Sequence, residues 1–240
     1  MEINLLDKRL SAHNNRDMTT VFSLKIPDTL SPEEMVSLGD YISPEKQERI
    51  RRSFNRNHAQ SMLMAELLLR SQLCAKTGLK NHELRFSTNS HGKPMLLNAP
   101  ALHYNLSHSG PHIVCAISDR PVGIDIEEMR PVNLKIAERF FSADEMHYIF
   151  KAPADMQARL FFEIWTKKEA YVKYLGLGLF SQPLRSFSVL RESGEVYFDR
   201  IAVNEETVCH MCREGTEAFM FRQISPEELI RDFLLLVLRI

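Results

Sequence analysis

A long apolar helix followed by several short strands is a pattern that this chain contains twice. The first helical stretch covers residues 62–74 and stops at Gly78, and the second covers residues 160–175 and stops at Gly176, glycine being common where helices end. Separate runs of helix and strand predict an α+β fold. Because the order of elements recurs, we expect two similar α/β lobes with a ligand cleft between them. Few residues are identical between the halves, so this expectation rests on the order alone.

The predicted domain limits follow from these runs. Residues 1–18 are polar and are expected to form an N-terminal extension, residues 19–121 the first lobe and residues 122–240 the second. Strand patterns cover residues 21–26, 84–87, 94–97, 104–106, 112–118, 122–127, 186–191, 195–199, 208–213 and 218–224. A helix start is predicted at residues 43–45, and the apolar stretch 229–240 is expected to be a buried strand or a docked helix.

Acidic residues alternate with apolar ones in the strand pattern 122–127. Because successive strand residues point to opposite faces, Asp125 and Glu127 project from one face. On the second long helix, Glu169 and Lys173 lie one turn apart. Alternating acids are often a solvated face, but these lie on strongly apolar elements, where unpaired charges are costly. Converging carboxylates suit a hard cation such as Mg²⁺, with a lysine beside it for a phosphate ester.

Other segments carry groups that suit a phosphate. Ser107 and His108 follow a short strand and offer a hydroxyl and an imidazole. Lys93 lies in a tight turn and supplies a point charge. Lys46 and Arg49 lie three residues apart on one helical face. Each of these signals, taken alone, is also typical of a solvated turn or helix face.

Composition limits the classes of binding partner and the cellular compartment that we expect for this protein. Among 240 residues, 30 basic and 31 acidic side chains give a net charge of −1, which lends no support to nucleic-acid binding. The first residues lack the apolar core of a secretory signal, and no stretch is apolar enough to span a membrane. Cys209 and Cys212 have zinc-like spacing but no second pair, so a strand is favoured. We expect a cytoplasmic monomer without a disulfide scaffold.

Six segments, taken in order, resemble the Sfp-type 4'-phosphopantetheinyl transferases. They are residues 43–46, 85–88 with 92–94, 105–109, 123–127, 139–142 and 165–173. The resemblance runs from about residue 40 to about residue 190. In that family the turn that opens the first long helix often carries a basic or hydroxyl residue for the nucleotide. Residues 59–62 read Ala-Gln-Ser-Met here, so no contact is predicted at that turn.

The resemblance implies two lobes related by a pseudo-twofold axis, with coenzyme A as co-substrate and Mg²⁺ as cofactor between them. It implies transfer of the 4'-phosphopantetheine arm to a serine of an acyl or peptidyl carrier protein, with release of adenosine 3',5'-bisphosphate. The metal-binding positions that it implies are Asp125, Glu127 and Glu169, and the catalytic positions are Glu169, Lys173 and Glu127. The coenzyme contacts that it implies are Lys46, Arg49, Lys93, Ser107 and His108. As a mechanistic hypothesis we add Asp125, which would hold the diphosphate through Mg²⁺, and Lys168 and Lys173, which would offset charge on the leaving bisphosphate.

Glu169 is the preferred base for the carrier serine, and Glu127 is the alternative. Two other classes of function stay open at this point. A magnesium-dependent phosphodiesterase or nuclease could use Asp125, Glu169 and Lys173, but it would be expected to have a basic groove. A module that only binds coenzyme A or carrier proteins would not need a metal-centred cluster of acids.

Overall fold

A computed structural model describes residues 18–26, 30–178, 183–191 and 194–238. The strands are β1 (Thr20–Lys25), β2 (Phe86–Thr88), β3 (Pro94–Leu96), β4 (His103–Ser109), β5 (His112–Ser118), β6 (Val122–Glu128), β7 (Tyr197–Arg200), β8 (Thr207–Arg213) and β9 (Met220–Ile224). The helices are α1 (Pro32–Gly39), α2 (Pro44–Arg51), α3 (Arg56–Thr77), α4 (Lys135–Phe140), α5 (Ala143–Lys151), α6 (Ala154–Leu175) and α7 (Pro226–Val237). The predicted α+β class is confirmed.

The strands form one larger and one smaller main sheet. The larger sheet has the order β4-β5-β1-β9, in which β9 runs parallel to β1 and the other neighbours are antiparallel. The second sheet is antiparallel with the order β6-β8-β7, and β2 pairs with β3 in a short ribbon. The last strand of the chain therefore completes the sheet that the first strand begins.

Successive residues of strand β1 point to opposite faces of the larger sheet, and each face packs into a different apolar cluster. On one face, Leu24 packs with Leu67 of α3 and Phe233 of α7 in one apolar cluster. On the other face, Val21 packs with Ile124 of the second sheet. The two main sheets therefore share a core of their own, and the edge between β4 and β6 lies where the two halves of the chain meet.

Helix α6 packs unusually close to strand β6 at Gly123. A β-carbon on this residue would lie 2.0 Å from the carbonyl oxygen of Ala170 and 2.3 Å from the amide nitrogen of Tyr174. Only glycine permits so close an approach of strand and helix backbones. This contact sets the position of α6 against the residues of β6 that follow Gly123.

Both long helices end where their glycines predict. Gly78 after α3 and Gly176 after α6 have left-handed backbones, with φ of 75° and 69°, a conformation that glycine adopts without strain. The C-terminal apolar stretch is the docked helix α7, one of the two predicted alternatives. Among the described residues, no helix has the length and apolar character needed to cross a bilayer.

The strand predicted at 186–191 is wrong. A short 3₁₀ helix covers Leu184–Ser186, and the described residues after it form bends rather than a strand. The backbone here bonds to buried side chains instead of a neighbouring strand: Lys168 donates to two carbonyls of the segment, and Glu145 accepts from the Val189 amide. Helices α1 and α4 were not predicted.

Gly123→Ala tests the close packing of β6 against α6. Because the new methyl group meets backbone atoms, which cannot turn aside, we expect a loss of about 3 kcal/mol or more in the free energy of unfolding. Urea denaturation measures it. Gly39→Ala is the matched control, since no atom lies within 4 Å of its added β-carbon, and it should be neutral or slightly stabilising. Equal stability of the two variants would show that strand and helix are not held at this distance.

Candidate active site

Short polar side chains of β4 bridge the gap between the two main sheets. Asn105, Ser107 and Ser109 alternate along the strand and so reach one face together. Their bonds to β6 run from the Ile124 amide to Asn105 Oδ1 (2.8 Å), from Ser107 Oγ to Asp125 Oδ1 (2.8 Å), from Ser109 Oγ to Glu127 Oε2 (2.9 Å) and from the Glu128 amide to Ser109 Oγ (3.0 Å). We call this set of three β4 residues the polar ladder. It fixes two of the predicted metal-binding acids.

Asp125 and Lys173 form the centre of the site. The ammonium of Lys173 lies 2.6 Å from Asp125 Oδ1 and also donates to Ser107 Oγ at 3.0 Å. Asp125 is buried, with 4 % of its surface exposed. Its second oxygen, Oδ2, is buried and has no hydrogen-bond partner in the described structure. A buried carboxylate oxygen without a donor is costly, so this atom is suited to a cation or a ligand donor.

The negative charge of Asp125 contributes to a raised pKa in both Glu127 and Glu169. Burial, and next the Asp125 carboxylate, raise the pKa of Glu169 to about 7, against the partial opposition of Lys173. The same two causes raise the pKa of Glu127, and hydrogen bonds from Ser109 and Trp165 offset part of that rise. Both glutamates therefore lie close enough to Asp125 for its charge to disfavour their ionised forms.

Their fit to a divalent cation is partial. Within the described residues, no three histidine, cysteine or acidic side chains are already arranged around a metal position. The donor set consists of carboxylates, which hard cations prefer. The unpaired Oδ2 of Asp125 and the raised pKa of Glu169 are both features that a cation would relieve. The chemistry of the site fits Mg²⁺, although the three acids are not preassembled.

A cavity of about 540 Å³ opens beside the polar ladder. Its lining includes His58 and Gln60 from α3, and His108 and Ser109 from β4. Since Ser109 also binds Glu127, the cavity adjoins the acids. Desolvation, followed by the neighbouring His58 and Lys173, lowers the pKa of His108.

The predicted basic contacts on α2 flank this region. The ammonium of Lys46 lies 3.2 Å from Glu66, a buried acid of α3 that also holds Arg70 at 2.8 Å. About half of the Lys46 side chain is exposed, so it can turn from Glu66 toward a ligand. Arg49 lines a shallow groove that shares His58 with the cavity.

Lys93 and Lys168 bond to other groups of the protein in this structure, and their coenzyme contacts stay predictions. Lys93 donates to the carbonyls of Lys173, Val122 and Tyr174 at 2.6, 3.2 and 3.2 Å, and burial lowers its pKa to about 8. Lys168 is fully buried and lies 2.8 Å from Glu145, and it also donates to the carbonyls of Leu184 and Phe187. Both lysines therefore help to hold neighbouring segments together.

Sequence reasoning missed several residues of this region. Asn105 and Ser109 belong to a predicted motif, and the alternation of short polar residues on one strand was a signal for the polar ladder. Trp165 lies near Glu127 and lowers its pKa, but nothing in the sequence indicates where its indole points. His58 reaches the cavity only because α3 packs beside β4, and no local pattern reveals that.

Comparison with known proteins identifies the family. A family model described as "4'-phosphopantetheinyl transferase superfamily" matches residues 121–225, and one described as "4'-phosphopantetheinyl transferase, N-terminal" matches residues 29–120. The three acids Asp125, Glu127 and Glu169 and all residues of the polar ladder lie within these two matches. The fold and the site therefore belong to a transferase.

Curated relatives agree with these matches. The chain is 39 % identical over 177 residues to the 4'-phosphopantetheinyl transferase Sfp of Bacillus subtilis strain 168, which covers 73 % of this chain and 79 % of that protein. It is 39 % identical over 171 residues to the 4'-phosphopantetheinyl transferase psf-1 of Bacillus pumilus, covering 71 % and 73 %. The 4'-phosphopantetheinyl transferase HetI of a Nostoc species is 32 % identical over 161 residues, covering 65 % and 68 %. The chain belongs to the 4'-phosphopantetheinyl transferase family, as its motifs predicted.

The raised pKa of Glu169 predicts a pH-dependent stability. In metal-free protein the folded state keeps this proton from the ordinary value of 4.5 up to about 7, whereas the unfolded chain releases it. The resulting stabilisation is present below pH 4.5 and is lost as the pH rises through 7, an effect of up to about 3 kcal/mol. Glu169→Gln should remove it, so the stability difference between variant and wild type should grow in the variant's favour from pH 4.5 to 8.

Urea denaturation in the presence of a chelator, repeated across this pH range, measures that difference. The exposed Glu138→Gln is the control and should follow the wild-type curve. Parallel curves for wild type and Glu169→Gln would mean that Glu169 ionises without penalty.

Lys168→Met tests the structural role of this lysine. Because the substitution leaves Glu145 buried without its cation, we expect a loss of about 3–5 kcal/mol in the free energy of unfolding, while the affinity of the folded protein for coenzyme A stays unchanged. The double variant Lys168→Met, Glu145→Gln should lose less, since no unpaired charge remains. Denaturation and calorimetry measure the two quantities. Weakened coenzyme binding with little change in stability would instead show that Lys168 contacts the coenzyme.

Proposed function

We propose that this chain transfers the 4'-phosphopantetheine arm of coenzyme A to a serine hydroxyl of an acyl or peptidyl carrier protein, releasing adenosine 3',5'-bisphosphate. The observation that carries the proposal is the buried Lys173–Asp125 pair, 2.6 Å apart, in a segment that the family model matches. A lysine and acids beside a polar cavity form a site that can hold a diphosphate and its charge. A nuclease is disfavoured by the absence of a basic excess in the sequence.

Asp125, Glu127 and Glu169 would hold Mg²⁺ in this proposal. When bound, the ion supplies charge neutralisation and alignment for the diphosphate of coenzyme A. The unpartnered Oδ2 of Asp125 supports its assignment as a ligand. Ser109 and Trp165 orient Glu127 from the other side, in the way that supporting hydrogen bonds commonly fix metal-binding carboxylates.

The residues of the chain perform the remaining tasks. The serine oxygen of the carrier attacks the phosphorus that bears pantetheine, and the bond from that phosphorus to the bisphosphate oxygen breaks. Glu169 accepts the serine proton, since a pKa raised to about 7 suits a base near neutral pH; Glu127 is the alternative. Lys173 offsets charge on the leaving bisphosphate.

Lys46, Arg49 and His108 bind the phosphate of the coenzyme that lies beyond the diphosphate. Lys46 and Arg49 supply charge from α2, and His108 reaches the cavity from β4. Ser107 contacts both Asp125 and Lys173, so it joins the coenzyme site to the acids. These contacts are electrostatic and depend on side chains that are free to turn toward the ligand.

We also propose the two-lobe arrangement, with lobes of residues 19–121 and 122–240 related by a pseudo-twofold axis. The separate apolar clusters around α3 and around α6 support it. Strand β9 and helix α7 belong to the second lobe by sequence but pack with β1 and α3 of the first. The second lobe therefore also completes the first.

The proposed setting is a monomer in the cytoplasm. One chain supplies every acid and base that the reaction uses, so a second copy is not required. The four cysteines are free and buried, which suits a reducing compartment.

Asp125→Asn tests the site. The neutral amide keeps the shape but loses the ion pair with Lys173 and a metal-binding oxygen, so we expect transfer to fall roughly a thousandfold. Mass spectrometry of a purified apo carrier protein incubated with coenzyme A and Mg²⁺ measures the rate. Asp155→Asn, at an exposed position on the same helix as Lys173, is the control and should match the wild type. A wild-type rate for Asp125→Asn would exclude this site.

A further inference from the structure

Two imidazoles face each other across the cavity. His58 lies in the first turn of α3 and His108 near the end of β4, and their ring centroids are 5.6 Å apart with a tilt of 53°. Both line the cavity of about 540 Å³. The amide of His58 is fixed by the Asn55 side chain at 3.1 Å, so the backbone that carries this imidazole is held by the helix cap.

Neither imidazole is committed to a protein partner. Within the described residues, neither ring makes a hydrogen bond to another protein group. The described lining of the cavity contains amides, hydroxyls and imidazoles but no carboxylate. A polar cavity with two imidazoles and without acids suits an anion.

Charged side chains surround the two imidazoles. His58 also lines the neighbouring groove, where Arg49 and Arg52 are balanced by two glutamates. The pKa of His108 is lowered by desolvation first and then by His58 and Lys173, so its cationic form is disfavoured until an anion arrives. An anion beside His108 would oppose this lowering of its pKa.

Strand geometry separates this place from the acids. Ser107 points to Asp125, and because side chains alternate along a strand, His108 points the other way, toward α3. A phosphate beside His108 is therefore different from the diphosphate held near Asp125. In coenzyme A the remaining phosphate is the 3'-phosphate of the ribose.

We propose that His58 is a second ligand for the 3'-phosphate of coenzyme A, which lies in the cavity in contact with the imidazoles of both His58 and His108. The inference rests on the proposed function, because it assigns one part of the same co-substrate. His58 then contributes to the choice of coenzyme A over dephospho-coenzyme A.

Calorimetric titration of purified protein with coenzyme A and with dephospho-coenzyme A tests the assignment. The ratio of the two dissociation constants is the readout, since it reports the 3'-phosphate alone. A hydrogen bond to a charged group predicts that His58→Ala weakens coenzyme A by about tenfold or more and leaves dephospho-coenzyme A unchanged. His108→Ala should do the same, and the double variant should lose more of the preference than either single variant, with Lys46 and Arg49 supplying the remainder. The exposed His147→Ala on α5 is the control and should keep the wild-type ratio.

The outcomes separate the inference from the function on which it rests. If His58→Ala keeps the wild-type preference for coenzyme A, the role of His58 is overturned, but the proposed function is not. Equal weakening of both ligands by His58→Ala also overturns it, because the contact would then be to a part that both share. A wild-type protein that binds neither ligand refutes the proposed function, and the inference with it. Thermal melting verifies folding, which an exposed side chain without hydrogen bonds should not disturb.

Discussion

The contact between Gly123 and the backbone of α6 determines where the chemistry of this protein lies. Without a side chain at this position, strand and helix approach until a β-carbon would lie 2.0 Å from the Ala170 carbonyl oxygen. Lys173 then reaches Asp125, two residues along the strand from Gly123. A larger separation would place water between lysine and acid, and the pair would lose the low-dielectric setting that strengthens it. Backbone packing therefore sets the electrostatics of the site.

The polar ladder solves a different problem. β4 and β6 lie beside each other but belong to different sheets, so side chains make the bonds that a continuous sheet would make through its backbone. Ser107 and Ser109 hold two carboxylates at this junction while Lys173 compensates one of them. Burying acids in this way costs stability and leaves them ready for a cation. At this junction hydrogen bonds fix the two strands, whereas the negative charge of the acids is only partly compensated.

Much of this arrangement could be predicted from the sequence because it depends on periodicity. Alternation in β6 and the helical repeat in α6 gave the faces of Asp125 and Lys173, and glycines gave the helix ends. Periodicity does not tell which way a long side chain turns, and Lys93 and Lys168 turned to buried carbonyls. The strand predicted at 186–191 failed for the same reason, since its backbone bonds to Lys168 and Glu145. His58 depends on packing between distant segments, which local patterns do not report.

The pairing of β1 with β9 joins positions 20 and 220 in one sheet. During synthesis on the ribosome, β1 can align with β5 long before its other neighbour has been made. An unpaired strand edge then faces the solvent while the residues between β5 and β9 are still being translated, and open edges invite association with other nascent chains. Pairing β9 with β1 closes a loop of about 200 residues, and the entropic cost of this closure arises only after β9 has been made. The nascent protein therefore has a long interval in which a chaperone could protect that edge, and a prematurely terminated polypeptide would retain it permanently.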